Sequence, residues 1–595
     1  MKTSVRIGCA SAFWGDTQTA ARQLVEHGDL DYLVFDYLAE VTLSIMLRQR
    51  MKNPQAGFAR DFIDPVMRPL LPAIKRQGIR VLSNAGGLNP QACAQALQEA
   101  AQAQGIELKV AVVLGDDVRH LQDELRAEGA REMFSDTPMP EQLITMNAYL
   151  GAGGLKQALD AGADVVITGR IVDSAVTLAP LMHEFSWSED DYDRLAAGGI
   201  AGHIIECGAQ CTGGNFTDWE SVPGYENMGF PVVECFADGR FLVSKPPNTG
   251  GLVTPLTVGE QMLYEIGDPG CYLLPDVTCD FRSVELTQVG PDLVEVSGCR
   301  GRSPSSSYKV SALYPDQFRV TTTLLIGGMQ APAKARRAAE AILTKTRGIL
   351  EQQGWGDFSE VCVETLGAES IYGPHSRRDD TREVVLKIAA KHTRKEALEV
   401  LTREMPQAAT GMVPGVTGYF GGRASVTPIP RLYSTLVAKN KVPVRLQISD
   451  EEVAVPVPPG DDQLAHQAPV IDAGGHWNID LDQPLTEVPL MTLAVARSGD
   501  KGDKANIGVM ARKPQYFPWI AHSLSAEAVR DWFAYLLADN AGVHRYVLPG
   551  THALNFLLDS ALGGGGVASL RIDPQGKCLG QILLEHPVQV PEKLL

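Results

Sequence analysis

Short apolar runs alternate with amphipathic helical patterns through the first 170 residues of the chain. Between two of these runs, Ala92, Ala96, Leu97 and Ala100 recur at helical spacing, and Gly105 ends the pattern. Strand, helix, strand alternation is typical of a parallel sheet with right-handed crossovers. We therefore predict an open, doubly wound sheet, with a barrel as the alternative. The predicted strands are 5–10, 32–35, 79–82, 109–114 and 164–168, and the predicted helix is 90–104.

After residue 214 the pattern changes, and strand signals dominate. Two apolar runs flank Asp238-Gly239, a dipeptide that favours a tight hairpin turn. We interpret residues 1–451 as a large α/β domain with a mainly parallel sheet and a β-rich insertion, divisible into lobes 1–214 and 215–451. The predicted elements of the second lobe are strands at 232–236, 241–243 and 310–325 and a helix at 332–353.

Residues 452–488 are rich in proline and lack periodicity, which is typical of an extended linker. The residues from 489 to 595 are predicted to form a small domain, in which Ser525 is a good N-cap for an amphipathic helix. Two helices on one face of a four-stranded sheet make an α+β domain of ferredoxin-like kind. The predicted helices are 526–539 and 552–562, and the predicted strands are 491–496, 506–511, 567–573 and 579–585.

Acidic residues outnumber basic ones, 71 to 53, in this chain of 595 residues, and the formal charge is -18. Because no basic run offers a surface for phosphates, we expect no nucleic-acid partner. No stretch approaches the roughly 20 apolar residues of a membrane span, and the N-terminus lacks the apolar core of a signal peptide. The ten cysteines show no paired framework and are interpreted as reduced thiols. We therefore expect a cytoplasmic protein without membrane association.

Small polar loops follow several of the predicted strands, where ligands bind in parallel α/β sheets. Asn84 with Gly86 and Gly87 could hold a carbonyl or carboxylate through an amide and backbone N–H groups. Arg170 is a candidate anion clamp, and Asp173 is a candidate acid or base. Turn and helix-cap roles are the alternative for each residue. Asp36 and Asp116 occupy similar positions after other strands.

The segment 203–215 is interpreted as the end of a helix followed by a glycine-rich turn. His203, Glu206, Cys207 and Cys211 lie on one side of that helix, so a polar catalytic face is one interpretation. His203 and Glu206 are then the predicted proton-transfer residues, and Asn215 is a predicted substrate-binding residue. Tight packing of small residues is the second interpretation, and a metal site is the third, although the spacing matches no closed ligand motif. We predict no metal.

The loop 497–506 combines two glycines with three basic residues, Arg497, Lys501 and Lys504. These side chains could bind a carboxylate or the phosphate of coenzyme A, while a surface hairpin laced by ion pairs is the alternative. No dinucleotide-binding fingerprint and no phosphate loop ending in Gly-Lys-Ser/Thr is present. We therefore predict no cofactor, with a coenzyme A thioester as a candidate substrate moiety.

These segments together resemble the acyclic terpene utilisation protein (AtuA) family over nearly the whole chain. The segments that carry the resemblance are 7–16, which begins Ile7-Gly8-Cys9-Ala10-Ser11, then 84–89, Thr168-Gly169-Arg170-Ile171-Val172-Asp173, 203–215 and 497–508. The resemblance implies a place in the breakdown of citronellol, geraniol or related branched acids. That breakdown runs through acyl-CoA intermediates and a biotin-dependent carboxylase.

The leading hypothesis is a catabolic enzyme acting on branched acyl-CoA or acyclic terpenoid acid intermediates. Hydratase or lyase chemistry is favoured over a redox reaction because nucleotide-cofactor fingerprints are missing. The alternative is a non-catalytic partner that binds acyl-CoA or acts as a scaffold for acyl-CoA carboxylase subunits, and a metal-dependent hydrolase is a third hypothesis. We also expect a homo-oligomer.

Overall fold

The computed structural model describes residues 2–38, 40–418, 422–449, 451–469, 477, 479–566 and 568–595. The strands before the small domain are β1 (Ser4–Cys9), β2 (Tyr32–Phe35), β3 (Arg80–Ser83), β4 (Val110–Leu114), β5 (Thr145–Ala148), β6 (Val165–Thr168), β7 (Val232–Phe236), β8 (Phe241–Ser244), β9 (Tyr272–Leu273), β10 (Thr278–Asp280), β11 (Glu285–Gly290), β12 (Leu293–Ser297), β13 (Arg300–Arg302), β14 (Ser307–Gly327), β15 (Glu360–Leu366), β16 (Glu383–His392), β17 (Val416–Gly418), β18 (Thr427–Ala438), β19 (Arg445–Ile448), β20 (Glu451–Ala454) and β21 (Leu485–Pro489). The small-domain strands are β22 (Ala494–Lys501), β23 (Lys504–Ala511), β24 (Val543–Leu548), β25 (Ala553–Leu558) and β26 (Pro587–Pro591).

The described residues also form α-helices. They are α1 (Ala20–His27), α2 (Glu40–Lys52), α3 (Arg68–Gln77), α4 (Pro90–Gln102), α5 (Gln122–Ala127), α6 (Gly153–Asp160), α7 (Ala175–Phe185), α8 (Tyr192–Ile205), α9 (Pro255–Met262), α10 (Ala331–Gln352), α11 (Lys395–Glu404), α12 (Ala408–Gly411), α13 (Asp462–His466), α14 (Phe517–Ser523), α15 (Ala526–Trp532) and α16 (Leu579–Leu583). None of them is long and apolar enough to cross a membrane.

The large domain is built on an open sheet with the order β11-β12-β8-β7-β1-β2-β3-β6-β4-β19-β20. Its five central strands, from β1 to β4 in that order, are parallel, and antiparallel strands extend both edges. The predicted open parallel sheet is therefore confirmed. The predicted hairpin also forms, since β7 and β8 pair antiparallel across Asp238-Gly239. The domain boundaries stay predictions.

Helices cover both faces of the parallel strands. Side chains of α1, α3 and α4 share one apolar core with one face of the sheet, and those of α6, α7 and α8 share another core with the opposite face. Strands covered on both faces are apolar throughout, which is why each appeared in the sequence as an uninterrupted run. Helix α4 begins as predicted, because the Asn89 side chain accepts a hydrogen bond from the Ala92 N–H.

A second sheet, with the order β15-β16-β14-β17, carries its own apolar core under α10 and α11. The long strand β14 and the helix α10 match the predictions of 310–325 and 332–353 to within three residues. Strand β14 also pairs with β5, whose chain neighbours β4 and β6 belong to the central sheet. This pairing joins the two sheets of the large domain.

The small domain is an α+β unit of ferredoxin-like kind. Its antiparallel sheet has the order β22-β23-β25-β24, and α14, α15 and α16 pack with it in one apolar core. The Ser525 cap is present, since its hydroxyl accepts from the Ala528 N–H at 3.1 Å. The helix predicted over 526–539 nevertheless ends at Trp532. Its last carbonyl accepts a hydrogen bond from His375 of the large domain at 2.9 Å instead of continuing the helix.

Three further predictions for the small domain are wrong. The helix predicted at 552–562 is strand β25, which lies between β23 and β24 and is buried on both faces, so its apolar spacing does not alternate. The strand predicted at 579–585 is helix α16, whose start is held by Asp573 accepting from the Cys578 N–H. Residues 568–573 form no strand, and Val567 lies outside the described residues.

Candidate functional site

Side chains that follow three neighbouring parallel strands meet at one edge of the central sheet. Asn84, after β3, donates from Nδ2 to Asp36 Oδ1 at 2.5 Å, and its Oδ1 accepts from the Tyr37 N–H at 2.7 Å. Arg170, after β6, donates from Nη1 to Asp173 Oδ1 at 2.6 Å and to the Leu38 carbonyl at 2.8 Å. The ends of β2, β3 and β6 are thus tied together by these polar side chains.

Asp36 is a deeply buried carboxyl group at this edge and is only 7% exposed. Burial raises its pKa well above the usual range, and the negative charge of Asp173 adds to that effect. The positive charge of Arg170 and the hydrogen bond from Asn84 act in the opposite direction without cancelling the rise. Asp36 therefore retains its proton at a pH where an exposed aspartate has lost it.

Glu206 and His203 form the second acidic element of the site, at the end of α8. His203 Nε2 lies 3.1 Å from the Met262 carbonyl oxygen, which can only accept, so Nε2 carries a proton. His203 Nδ1 lies 3.0 Å from Glu206 Oε1, and a hydrogen bond there requires one proton between the two atoms. Burial raises the pKa of Glu206, while the neighbouring His203 lowers it. The pair therefore holds one exchangeable proton.

The imidazole of His203 is 1% exposed, and both of its nitrogens contact protein atoms. Its ring lies 6.0 Å from the Phe281 ring and 5.5 Å from the Tyr272 ring, measured between centroids. This enclosure fixes the imidazole beside Glu206. Of the two predicted proton-transfer residues, Glu206 is the more accessible, with a side chain that is 10% exposed.

The two cysteines predicted on the same helix face have different surroundings. Cys207 is half-buried, and the charges of Glu206 and Glu265 act on its thiol, whereas Cys211 lies in the apolar core of the domain. Burial raises the pKa of both thiols, so neither is a thiolate near neutral pH. Within the part of the chain that the structure describes, no three His, Cys, Asp or Glu side chains are arranged to hold a metal ion.

The β22–β23 hairpin of the small domain approaches these acidic residues from the other side. Lys501, at its tip, lies with Nζ 5.7 Å from the Tyr272 ring centroid, and its charge acts on Glu206 and Glu265. Lys504 is directed elsewhere, since it forms an ion pair with Asp559 at 2.7 Å. Of these two predicted lysines, the structure therefore brings only Lys501 to the acidic residues.

The third predicted cation, Arg497, contacts protein groups. It donates to the backbone carbonyl of Asn215 at 2.7 Å, and its guanidinium lies 5.0 Å from the Tyr264 ring centroid. The side chain of Asn215 is exposed. Gly86 and Gly87 are explained by close packing, because an added Cβ would lie 2.4 Å from the Thr168 carbonyl oxygen or 2.2 Å from the Met46 sulfur. The ligand-binding roles of these four residues stay predictions.

Sequence reasoning missed Lys577, which joins the two domains beside the hairpin. Its Nζ lies 2.9 Å from Glu265 Oε1, 3.4 Å from Asp500 Oδ1, and within hydrogen-bond distance of the Tyr264 hydroxyl. Burial alone would raise the pKa of Glu265. The charges of Lys577 and Lys501 have the larger, opposite effect, so the pKa of Glu265 lies below its usual range. No local pattern around Lys577 marks this role, because its partners Tyr264 and Glu265 are about 310 residues away in sequence.

Two buried asparagines of the small domain hold the segment that carries Glu265. Asn506 donates to the Leu263 carbonyl at 2.7 Å and accepts from the Glu265 N–H at 2.8 Å, and Asn555 donates to the Gly267 carbonyl at 2.6 Å. Gly508 permits this contact, since an added Cβ would lie 2.4 Å from Leu263 Cβ. The position of one domain relative to the other is thus set by direct hydrogen bonds at the site.

We call Asp36, Asp173 and Glu206 the carboxylate side of the site, and Lys501 and Lys577 the lysine side. The first comes from strand and helix ends of the large domain, and the second from the small domain. Carboxyl groups that keep protons, next to carboxylates and ammonium groups, can remove a proton from one atom of a substrate and deliver one to another.

Comparison with known proteins finds two family models that match this chain. Residues 5–448 match the model of the acyclic terpene utilisation family protein AtuA, and residues 488–589 match that of the AtuA ferredoxin-like domain. Neither the curated proteins nor the solved structures contain a match to this chain. Membership of the matched family implies involvement in acyclic terpene utilisation. Since the two models together cover most of the sequence, the chain belongs to the AtuA family.

Proposed function

We propose that this protein is a hydratase or lyase that acts on branched acyl thioester intermediates of acyclic terpene breakdown. The observation that carries the proposal is the grouping of Asp36, Asp173 and Glu206 on the carboxylate side. The charge of Asp173 raises the pKa of both other groups, so the three act on one another. Family membership supports the terpenoid substrate class, and the acid–base groups support addition or elimination of water.

Two of the three carboxyl groups, Asp173 and Glu206, differ in whether they can accept or supply a proton. Asp173 forms an ion pair with Arg170 and is the carboxylate of the set, whereas Glu206 shares a proton with His203. The side chain of Asp173 is also 37% exposed, which gives a substrate access to it. A carboxylate and a protonated carboxyl group at one site are the two partners that elimination of water requires.

In the elimination direction, Asp173 takes the proton from the carbon next to the thioester carbonyl. The electron pair of that C–H bond becomes the new double bond, and the bond between the β-carbon and its hydroxyl oxygen breaks. Glu206 gives its proton to the departing hydroxyl, which leaves as water. The enzyme gains one proton at Asp173 and loses one at Glu206, and hydration follows the same steps in reverse.

The test is incubation of the purified protein with a panel of branched enoyl-CoA and 3-hydroxyacyl-CoA thioesters, with mass spectrometry for a change of one water. Glu206→Gln keeps the size of the side chain but cannot carry the proton, so turnover should fall by about 10²- to 10⁴-fold. The matched control is Asp117→Asn, which neutralises a carboxylate near the end of β4 that is paired with Arg119. It should retain turnover.

Two results would overturn the proposal. One is the absence of turnover across the whole panel by protein whose thermal unfolding is cooperative. The other is equal turnover by the wild type and Glu206→Gln. Co-purification with acyl-CoA carboxylase subunits, together with either of these results, would instead support the alternative of a non-catalytic carboxylase partner.

A further inference from the structure

We propose that Lys501 and Tyr272 together bind the carbonyl oxygen of the substrate and stabilise the negative charge that develops there. This inference rests on the proposed function and adds a residue from each domain to it. It also assigns Lys501 to the reacting end of the substrate. The sequence had predicted that the 497–506 loop would bind a carboxylate or phosphate.

Lys501 differs from the cations around it because, among the described residues, no protein group accepts a hydrogen bond from its side chain. Arg497 donates to a backbone carbonyl, Lys504 pairs with Asp559, and Lys577 pairs with Glu265. Over the ranges that the structure describes, Lys501 makes no ion pair and no side-chain hydrogen bond, and its Nζ lies over the Tyr272 ring. An ammonium group left unpaired between acidic residues is available to an oxygen of a ligand.

Tyr272 offers the second donor. Its ring packs against those of His203 and Phe281, at centroid distances of 5.5 Å and 5.0 Å. Its hydroxyl has no hydrogen-bond partner among the described residues. Burial raises the pKa of this phenol, and the charges of Glu206 and Asp173 add to the rise. The hydroxyl therefore stays protonated and can donate a hydrogen bond.

The location of the two donors matches the charge that the proposed reaction creates. When Asp173 removes the proton next to the thioester carbonyl, negative charge moves onto the carbonyl oxygen before the β-oxygen leaves. Glu206, which protonates the leaving oxygen, contacts His203, and the His203 ring is next to the Tyr272 ring. Two donors preorganised around one developing oxyanion lower the barrier more than they improve binding of the ground state.

The inference is tested with Lys501→Met and Tyr272→Phe, which remove the donors and keep most of each side chain. Each should lower kcat by about 10²- to 10³-fold with KM changed by less than about threefold. The matched control is Lys513→Met, an exposed lysine of the small domain that lies over the Tyr516 ring. It should keep both constants. A raised KM with unchanged kcat in Lys501→Met would overturn the inference and assign Lys501 to a remote anionic group.

A second measurement separates failure of this inference from failure of the proposed function. Acetate, a small planar anion, is titrated calorimetrically into the wild type, Lys501→Met and Lys513→Met. If the oxyanion site exists, the wild type and Lys513→Met bind this anion at least about tenfold more tightly than Lys501→Met does. That result supports the site even if no panel thioester turns over. Absent binding, or equal binding by all three proteins, would overturn it while leaving a Glu206-dependent turnover unaffected.

Discussion

The two sides of the site are built differently. On the carboxylate side, Asn84 is fully buried and Asp36 nearly so, and each has a hydrogen-bond partner in the large domain. On the lysine side, Lys577 is 39% exposed, and Lys501 has neighbours but no ion pair among the described residues. The carboxylate side thus combines the buried Asp36 and Glu206 with the more exposed Asp173, and the lysine side consists of cations at a domain contact.

This difference separates two tasks within the site. Groups in a buried, hydrogen-bonded environment have shifted pKa values and need little reorganisation during a reaction, which suits proton transfer. Lys501 lies at the tip of a hairpin of the small domain and Lys577 lies beside it, so the position of both lysines depends on how the small domain is docked. We therefore expect changes on the carboxylate side to remove the chemistry, and changes at the domain contact to misplace it.

The largest effect is expected for Asp173→Asn. The amide can still accept from Arg170, so the ion-pair geometry is largely kept, but the base of the proposed reaction is lost. Turnover on the thioester panel should fall by about 10²- to 10⁴-fold while the thermal midpoint stays nearly constant. Asp123→Asn is the control, because Asp123 is also paired with an arginine three residues away but is 94% exposed. Equal losses in both variants would contradict a special role for Asp173.

A smaller but still large effect is expected for Asn555→Leu at the domain contact. The change leaves the Gly267 carbonyl and Asn506 without their partner inside the contact. Unsatisfied buried groups of this kind cost about 1–3 kcal/mol each, so thermal unfolding should begin several degrees lower. Turnover should fall by about tenfold because Lys501 is displaced. Asn540→Leu, an exposed position in the same domain, is the control, and a matching loss there would refute the docking argument.

The part of the carboxylate side that lies at strand ends could largely be predicted from the sequence, because Asp36 and Asp173 follow apolar runs, as do Asn84 and Arg170 beside them. Parallel strands place their carboxyl ends at one edge, so Asp36, Asn84, Arg170 and Asp173 had to lie near one another once the strands were recognised. Helix α8 likewise could be predicted from its small residues. What local patterns did not reveal is that His203 would be enclosed by Met262 and two aromatic rings.

The lysine side could not be predicted to the same extent. Its geometry depends on contacts between segments roughly 240 to 310 residues apart, such as Asn506 with Glu265 and Lys577 with Glu265. Tyr272 lies on a two-residue strand, which is too short to give a periodic signal. The wrong prediction of a helix at β25 has the same origin. Asn555 and its apolar neighbours are buried because the large domain covers that face of the sheet, and this contact leaves no local pattern in the sequence.

A pH-dependent effect on stability is expected at Glu260, in α9 beneath β22. Glu260 is 3% exposed and accepts from the Thr217 N–H at 3.1 Å. Burial raises its pKa to about 7, with Arg497 lowering it and Asp218 raising it further. A raised pKa means that the folded state binds the proton more tightly, so this group stabilises folding at low pH, and that contribution is lost as pH rises toward 7.

Glu260→Gln removes the ionisable group, and with it the cost of holding a buried carboxylate in the folded state above pH 7. At pH 8 the variant should unfold at a higher temperature than the wild type, by an amount equivalent to about 1–3 kcal/mol, and near pH 4 the two should coincide. Thermal unfolding from pH 4 to pH 8 measures the difference, with Glu351→Gln as an exposed control. A shift of the same size at both ends of the range would show that ionisation of Glu260 is not its cause.

The smallest effect is expected for Arg497→Lys, and it decides whether that residue belongs to the binding surface or to the domain contact. A lysine keeps the charge but loses the planar guanidinium that both stacks on Tyr264 and donates to the Asn215 carbonyl. The loss should be about 0.5–1 kcal/mol of stability, seen as a small drop in thermal midpoint, with KM unchanged. A rise in KM at unchanged stability would instead place Arg497 against the substrate. The substrate would then contact the small domain at two points, with its reacting carbonyl at Lys501 and a more distant anionic group at Arg497.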